Sequence, residues 1–297
     1  VINMAKSNNT NKNKRVNNFN KNNIDIQKYK LINYTNNTKQ FDILFRDTSI
    51  KIKKLNIPVT IQKIKINTND TRLLDKMNNK MLNMINFMKV FNILYINSVT
   101  PHIQVYYDSK IHNSTYYVIT EENDGQLRFM LDEKLQATNK VYVKSVLFQI
   151  IYTLYAIKKH TIYKNFNHNR LHINNIGIKL IDIQENTVLK YKVNKKSYYL
   201  PNMGFIVKLQ HFHNASDPEM ARDVYQNEND LSVLLRSLVE VKNIDPVVKK
   251  WSENIIKKYD RSKLEKIDIL KEIIENKFFN IFKKQHDNII LKPEYVC

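Results

Sequence analysis

The chain has 297 residues, 48 Lys+Arg against 28 Asp+Glu for a formal charge of +20, and 42% hydrophobic residues. That length and apolar content suffice for a buried core and exclude global disorder. One cysteine, Cys297, excludes a disulfide framework and a cysteine-based zinc site, and 3 glycines leave no glycine-rich phosphate loop, which removes P-loop NTPases and Rossmann dinucleotide enzymes.

Residues 1–24 read as a basic, disordered tail, because Ser7 to Asn23 is nearly all Asn and Lys, with no acid before Asp25. Phe41–Phe45, Ser49–Ile52 and Pro58–Ile64 carry the β-branched and aromatic content of strands. Leu74, Met77, Met81, Met84 and Met88 recur at helical spacing and predict a helix over 73–94 whose methionine stripe is core packing. Pro101–Tyr107 and Tyr116–Thr120 read as two further strands, followed by a turn at Asn123-Asp124-Gly125. Residues 25–122 are thus expected as a small β-rich lobe holding one helix, and 123–297 as a larger helical lobe.

The second lobe opens with a helix over 143–162 that places Val146, Leu147, Ile150, Ile151, Leu154 and Ile157 on one face. An irregular stretch, 163–175, follows. Ile176–Ile183 and Val188–Val193 read as a hairpin about Asn186-Thr187, and 230–241, 246–258 and 263–284 as helices. The fold class expected is α+β. Polar residues interrupt every apolar run well short of the ~20 residues of a membrane span, and no apolar secretion-signal core opens the sequence, so an intracellular, soluble protein is expected. The excess of Asn, Lys and Ile is the mark of an AT-rich genome and inflates the basic charge.

The stretch after the long helix, Phe166-Asn167-His168-Asn169-Arg170-Leu171-His172-Ile173-Asn174-Asn175, resembles the protein-kinase catalytic loop H-R-D-L-x-x-x-N, with His168, Arg170, Leu171 and Asn175 at the places of its His, Asp, Leu and final Asn. Other fragments, in the same order, are similar to kinase-like proteins of large DNA viruses. Thr100-Pro101-His102 precedes a hairpin, and Val118–Glu121 sits at the place of the interlobe hinge. Pro201–Leu209 leads into His211-Phe212-His213 at the place of D-F-G, and Asp230-Leu231 resembles the Asp that anchors the large lobe. The resemblance spans roughly residues 38–260. It implies a bilobal protein-kinase-like fold with a vestigial nucleotide cleft near Thr60, Glu121 and Gly177.

Kinase chemistry rests on positioned phosphates and metal ions, and the matching positions here are altered. Arg170 stands where an Asp would take the hydroxyl proton, and a guanidinium is cationic at every working pH. His211 stands where an Asp would hold Mg²⁺, which prefers hard oxygen donors. Gln62 replaces the strand Lys, and the neighbouring Lys63 faces the opposite side of the strand. No Glu occurs from Ser49 to Thr120 to complete a Lys–Glu pair, and Gly177 replaces the apolar floor for adenine. The expectation is a catalytically dead kinase-like protein, with Asn175 and His168 structural, no cofactor, and a viral or host protein as partner. Its expected place is the host cytoplasm or the virion. ATP and Mg²⁺ enter only under the alternative, an atypical active Ser/Thr kinase that uses Lys63.

His168, His172, His211 and His213 come from two loops that the resemblance places face to face, and neutral imidazoles bind Zn²⁺. No carboxylate adjoins them, and no metal site is expected. The charge suits nonspecific binding of nucleic acid through the tail, with Lys12, Lys14, Arg15 and Lys21 as contacts. Lys51, Lys53 and Lys54 form a second basic cluster, and Lys195 and Lys196 with Tyr198 and Tyr199 a third. A basic nucleic-acid-associated virion protein is the remaining alternative.

Overall fold

A computed structural model describes residues 32–34, 43–52, 57–66, 69–112, 115–132, 138–182, 187–217, 229–259, 266–284 and 289–297. The basic tail, with Lys12, Lys14, Arg15 and Lys21, lies outside the described residues, as do Lys53 and Lys54. The chain is α+β and divides into two compact units, one of Val1–Lys89 with Gln104–Glu122, the other of Val90–Ile103 with Asn123–Cys297.

In the first unit, strands β1 (Ile32–Tyr34), β2 (Ile43–Ile52), β3 (Ile57–Ile66), β4 (Tyr106–His112) and β5 (Thr115–Glu121) form one antiparallel sheet in the order β1-β2-β3-β5-β4. Helix α1 (Thr71–Ile96) begins in this unit, where Asp70 caps it by accepting from the amides of Arg72 (2.9 Å) and Leu73 (3.2 Å). Its methionine stripe is buried at Met81, Met84 and Met88. The Tyr116 hydroxyl donates to Asn78 Oδ1 (2.8 Å) and ties sheet to helix. The helix stops beyond Ile96, where Ser98 turns left-handed (φ 54°) and the Val99 amide returns to Leu94 O (2.8 Å).

The strand expected over 101–107 begins only at Tyr106. Residues 100–106 are buried without alternation, which mimics a strand in sequence, but Thr100–Ile103 belong to the second unit, where Ile103 makes a lone bridge to Leu209.

The second unit is built on α3 (Lys140–His160), which follows β6 (Gly125–Gln126) and the short helix α2 (Leu127–Asp132). Asn139 caps α3 by accepting from the amides of Val141 (3.0 Å) and Tyr142 (3.4 Å), and Lys158 and Lys159 complement its C-terminal dipole. Among the described residues α3 is the one helix long and apolar enough to cross a membrane, and 78% of its apolar window is buried within the protein, as in a core helix. Phe148 at its centre packs against Tyr198 (4.9 Å between centroids), Tyr191 and Phe279 (each 5.5 Å).

Two small sheets complete this unit. In one, β7 (Ile176–Leu180) pairs with β10 (Phe205–Leu209) and β6; in the other, β8 (Thr187–Val193) pairs antiparallel with β9 (Lys196–Pro201) and parallel with β11 (Ile289–Val296). The hairpin therefore runs from β8 to β9, not from 176–183 to 188–193 as the sequence led us to expect. Asn194 turns it with φ 55°, a left-handed value that Asn tolerates.

Helices α4 (Asp230–Val239), α5 (Pro246–Lys258) and α6 (Ile267–Glu275) follow. The helix expected over 263–284 is broken, because Asn276 ends α6 and its side chain caps a 3₁₀ segment, Lys277–Phe282, by accepting from the Phe278 amide (2.9 Å). Strand β11 was unexpected. It contains Pro293, and its register with β8 shifts between Leu291 and Tyr295, which is where a proline is tolerated in a sheet.

His102 is fully buried here, with Nδ1 3.1 Å from Val207 O and Nε2 2.8 Å from the Tyr191 hydroxyl. A carbonyl only accepts, so Nδ1–H donates to it and Nε2 accepts from the tyrosine. Burial pushes the imidazole pKa down to about 3.

Candidate functional site

The loop between α3 and β7 is held by the first residue of α4. Asn229 caps that helix, accepting from the amides of Leu231 (3.0 Å) and Ser232 (3.2 Å), so the Asp230 carboxylate is not spent on its own helix. Asp230 accepts instead from the His168 backbone amide, and its bonds to the backbone amides of Asn169 and Leu171 favour the charged form. Burial outweighs them and raises the Asp230 pKa to about 6. Lys158, buried in the last turn of α3, donates to Phe166 O (2.6 Å) and adds a favourable charge toward Asp230.

His168 is fully buried. Its Nε2–H donates to Gln210 O (2.7 Å), its ring meets Phe212 edge-on at 5.4 Å, and Nδ1 has no hydrogen-bond partner among the described residues. Burial lowers its pKa to about 4, so the neutral Nε2–H form is present at pH 7. Phe212 in turn packs on Phe91 (5.4 Å) and Phe166 (6.4 Å). The order Asp230, His168, Phe212, Phe91 is a continuous buried column joining α4, the loop, the 211–213 segment and α1.

Around this column Asn169, His172 and Asn175 brace the loop backbone. Asn169 is left-handed (φ 62°), and its Nδ2 donates to Asn214 O and Ser216 Oγ (both 2.8 Å), cross-linking the two loops. Arg170 is exposed, and its carbonyl accepts from Asn175 Nδ2 (3.0 Å). Asn175 thus braces the backbone. His172 Nδ1 accepts from the Asn174 amide (3.1 Å) and caps the 3₁₀ turn Ile173–Asn175.

His211 is partly buried in a left-handed conformation (φ 62°, ψ 45°), with its ring 6.2 Å from that of His213. Burial and then the neighbouring His168 and Arg170 lower its pKa to about 4. Gly177, on β7, lies under a polar bridge in which Asn123 Nδ2 donates to Gln210 Oε1. A Cβ at 177 would lie 2.5 Å from Asn123 Nδ2 and 3.0 Å from Gln210 Oε1, so only glycine fits beneath the bridge.

Thr60, Gln62 and Glu121 belong to the first unit. Gln62 is buried on β3, opposite Val118; Thr60 is opposite Thr120 and Val59 opposite Glu121. The Glu121 carbonyl accepts from Gln104 Nε2 (2.9 Å). Lys63 lies with its Nζ 5.8 Å from the centroid of Tyr117.

At neutral pH the second-unit cluster offers two neutral, weakly basic imidazoles and an exposed guanidinium. The Asp230 carboxylate faces backbone amides, the Arg170 guanidinium accepts no proton, and the neutral imidazole of His211 is a weak base and a poor ligand for hard cations. Among the described residues no three His, Cys, Asp or Glu side chains come together to hold a metal ion. Sequence reasoning singled out His168, Arg170, Asn175, His211 and Asp230. It passed over Asn123, Asn169 and Gln210, whose amides form the cross-links, because Asn is so abundant here that no single one stands out. Compared with known proteins, the chain matches no family model and no curated sequence.

Proposed function

We propose that the chain is a catalytically inactive kinase-like protein with a bilobal protein-kinase-like fold, encoded by a large DNA virus. It serves as a scaffold, virion component or partner-binding protein in the host cytoplasm or the virion. The observation that carries this reading is the pairing of a retained support with altered chemistry. Asp230 holds the His168–Leu171 backbone and His168 packs against Phe212, while Arg170 and His211 stand at the places that the resemblance gives to the catalytic base and the metal ligand. Lys63, which the active-kinase alternative needs, lies against Tyr117, and its strand neighbour Gln62 is buried. The partners expected on this reading are a viral or host protein and, through the tail, nucleic acid bound without sequence preference.

The test is a thermal melt with millimolar Mg-ATP. A ligand at about 100 times its Kd stabilises by roughly 2.7 kcal/mol, which raises Tm by about 5–10 °C for a unit of this size. No shift and no transfer of labelled γ-phosphate to a basic substrate are expected. A shift of several degrees, with transfer abolished by Lys63→Ala, overturns the reading in favour of an atypical kinase.

A further inference from the structure

The sheet of the first unit carries a row of cations about one tyrosine. Four adjacent strands put Arg46, Lys63, Tyr117 and Lys110 in one register row: Arg46 opposite Lys63, Lys63 opposite Tyr117, Tyr117 opposite Lys110. Lys65, two places along β3, falls on the same face as Lys63, opposite Thr115, which is itself opposite His112. Lys65, Lys110 and His112 are exposed, and Lys63 and Tyr117 half-buried. Of the acids on this face, Asp108 lies in the next row, two places from Lys110 and opposite Ile119, and Glu121 lies one row farther, opposite Val59.

None of Lys63, Lys65 and Lys110 has an ion-pair partner among the described residues. The Lys63 Nζ leans on the Tyr117 ring instead. Two strand spacings, about 10 Å, separate the backbones of Lys63 and Lys110, with an aromatic ring between them. Cations flanking a ring on a sheet face match a single-stranded nucleic acid, whose phosphates take the lysines while a base stacks on the ring. A duplex keeps its bases stacked inside and has no use for the ring.

We propose that the Lys63–Tyr117–Lys110 row, with Lys65, is a binding surface for single-stranded nucleic acid. It is separate from the basic tail and independent of the kinase-like reading.

The experiment is fluorescence anisotropy of the full chain with labelled 15-nucleotide oligo-dT and oligo-U at about 50 mM salt, against a duplex of equal length. Tyr117→Phe should bind like the unaltered chain and Tyr117→Ala about tenfold more weakly, the range for loss of one stacked base. The triple variant Lys63→Gln, Lys65→Gln, Lys110→Gln should flatten the slope of log K against log salt by about 2, from ~0.7 per neutralised phosphate. Either oligonucleotide binding in this way supports the surface. Absence of binding, tighter binding to duplex, equal loss in Tyr117→Phe and Tyr117→Ala, or an unchanged slope in the triple variant overturns it. The lysine variant replaces surface or half-exposed side chains, so it tests the surface even if Tyr117→Ala fails to fold.

Discussion

Lowering the pH from 7 to 5 loads protons onto the unfolded chain that the folded chain refuses. His102, His168 and His211 are held neutral by burial, with pKa values of about 3, 4 and 4, against 6.5 when unfolded. Their folded pKa lies below the unfolded one, so stability is complete above pH 6.5 and is lost as pH falls toward 4. At pH 5 each histidine costs about 2 kcal/mol, and the three together about 6. Asp230 works in the opposite sense. Its folded pKa of about 6 lies above the unfolded value, so its burial weighs least below pH 4 and most above 6, and acidification to pH 5 returns about 1 kcal/mol. Asp108, also raised by burial, has the same sign. The net loss of about 5 kcal/mol is a large share of the 5–15 kcal/mol typical of a domain. It should lower Tm by about 10–20 °C, measured by calorimetry or circular dichroism at pH 7, 6 and 5. His211→Asn keeps a residue that tolerates the left-handed backbone and does not titrate, and it should remove about a third of the drop. A Tm change under ~3 °C, or a His211→Asn protein that tracks the unaltered one, refutes the reasoning.

Gly177→Ala should cost about 1–3 kcal/mol in urea unfolding, since the new methyl breaks the Asn123–Gln210 bridge. In the double variant with Asn123→Ala the loss should be less than additive, and strict additivity would mean the bridge is not the obstacle. Asn169→Gly should lose about 1–2 kcal/mol from its two hydrogen bonds, and Asn169→Ala about 1 kcal/mol more because of its positive φ. Equal losses would contradict the left-handed assignment. Tyr191→Phe leaves His102 Nε2 buried without its donor and should cost about 1–3 kcal/mol in the same assay; a neutral result would mean the histidine is satisfied another way.

What the sequence made legible was periodicity. The methionines of α1 and the apolar face of α3 state their helices, and α5 spans 246–258 as expected. Long-range pairing was not legible. β7 finds β10 rather than β8, and β11 pairs with a strand about a hundred residues earlier, because register between distant strands leaves no local mark. The loop anchors were half legible. Asp230 and His168 stand out by residue type, but the amides of Asn123, Asn169 and Gln210 act through geometry that composition conceals.

The Asp230 carboxylate grips main-chain N–H groups, which every residue except proline carries. The path of the loop from 168 to 171 is therefore set through its backbone: the Arg170 side chain is exposed, and its carbonyl accepts from Asn175 Nδ2 and from the His172 amide. A backbone fastened in this way can exchange one side chain for another of opposite charge without moving. Position 170 is thus open to mutational drift, and substitutions there other than proline should leave Tm at pH 7, where His168 and His211 are neutral, nearly unchanged, whereas replacing the buried His168 removes its bond to Gln210 O.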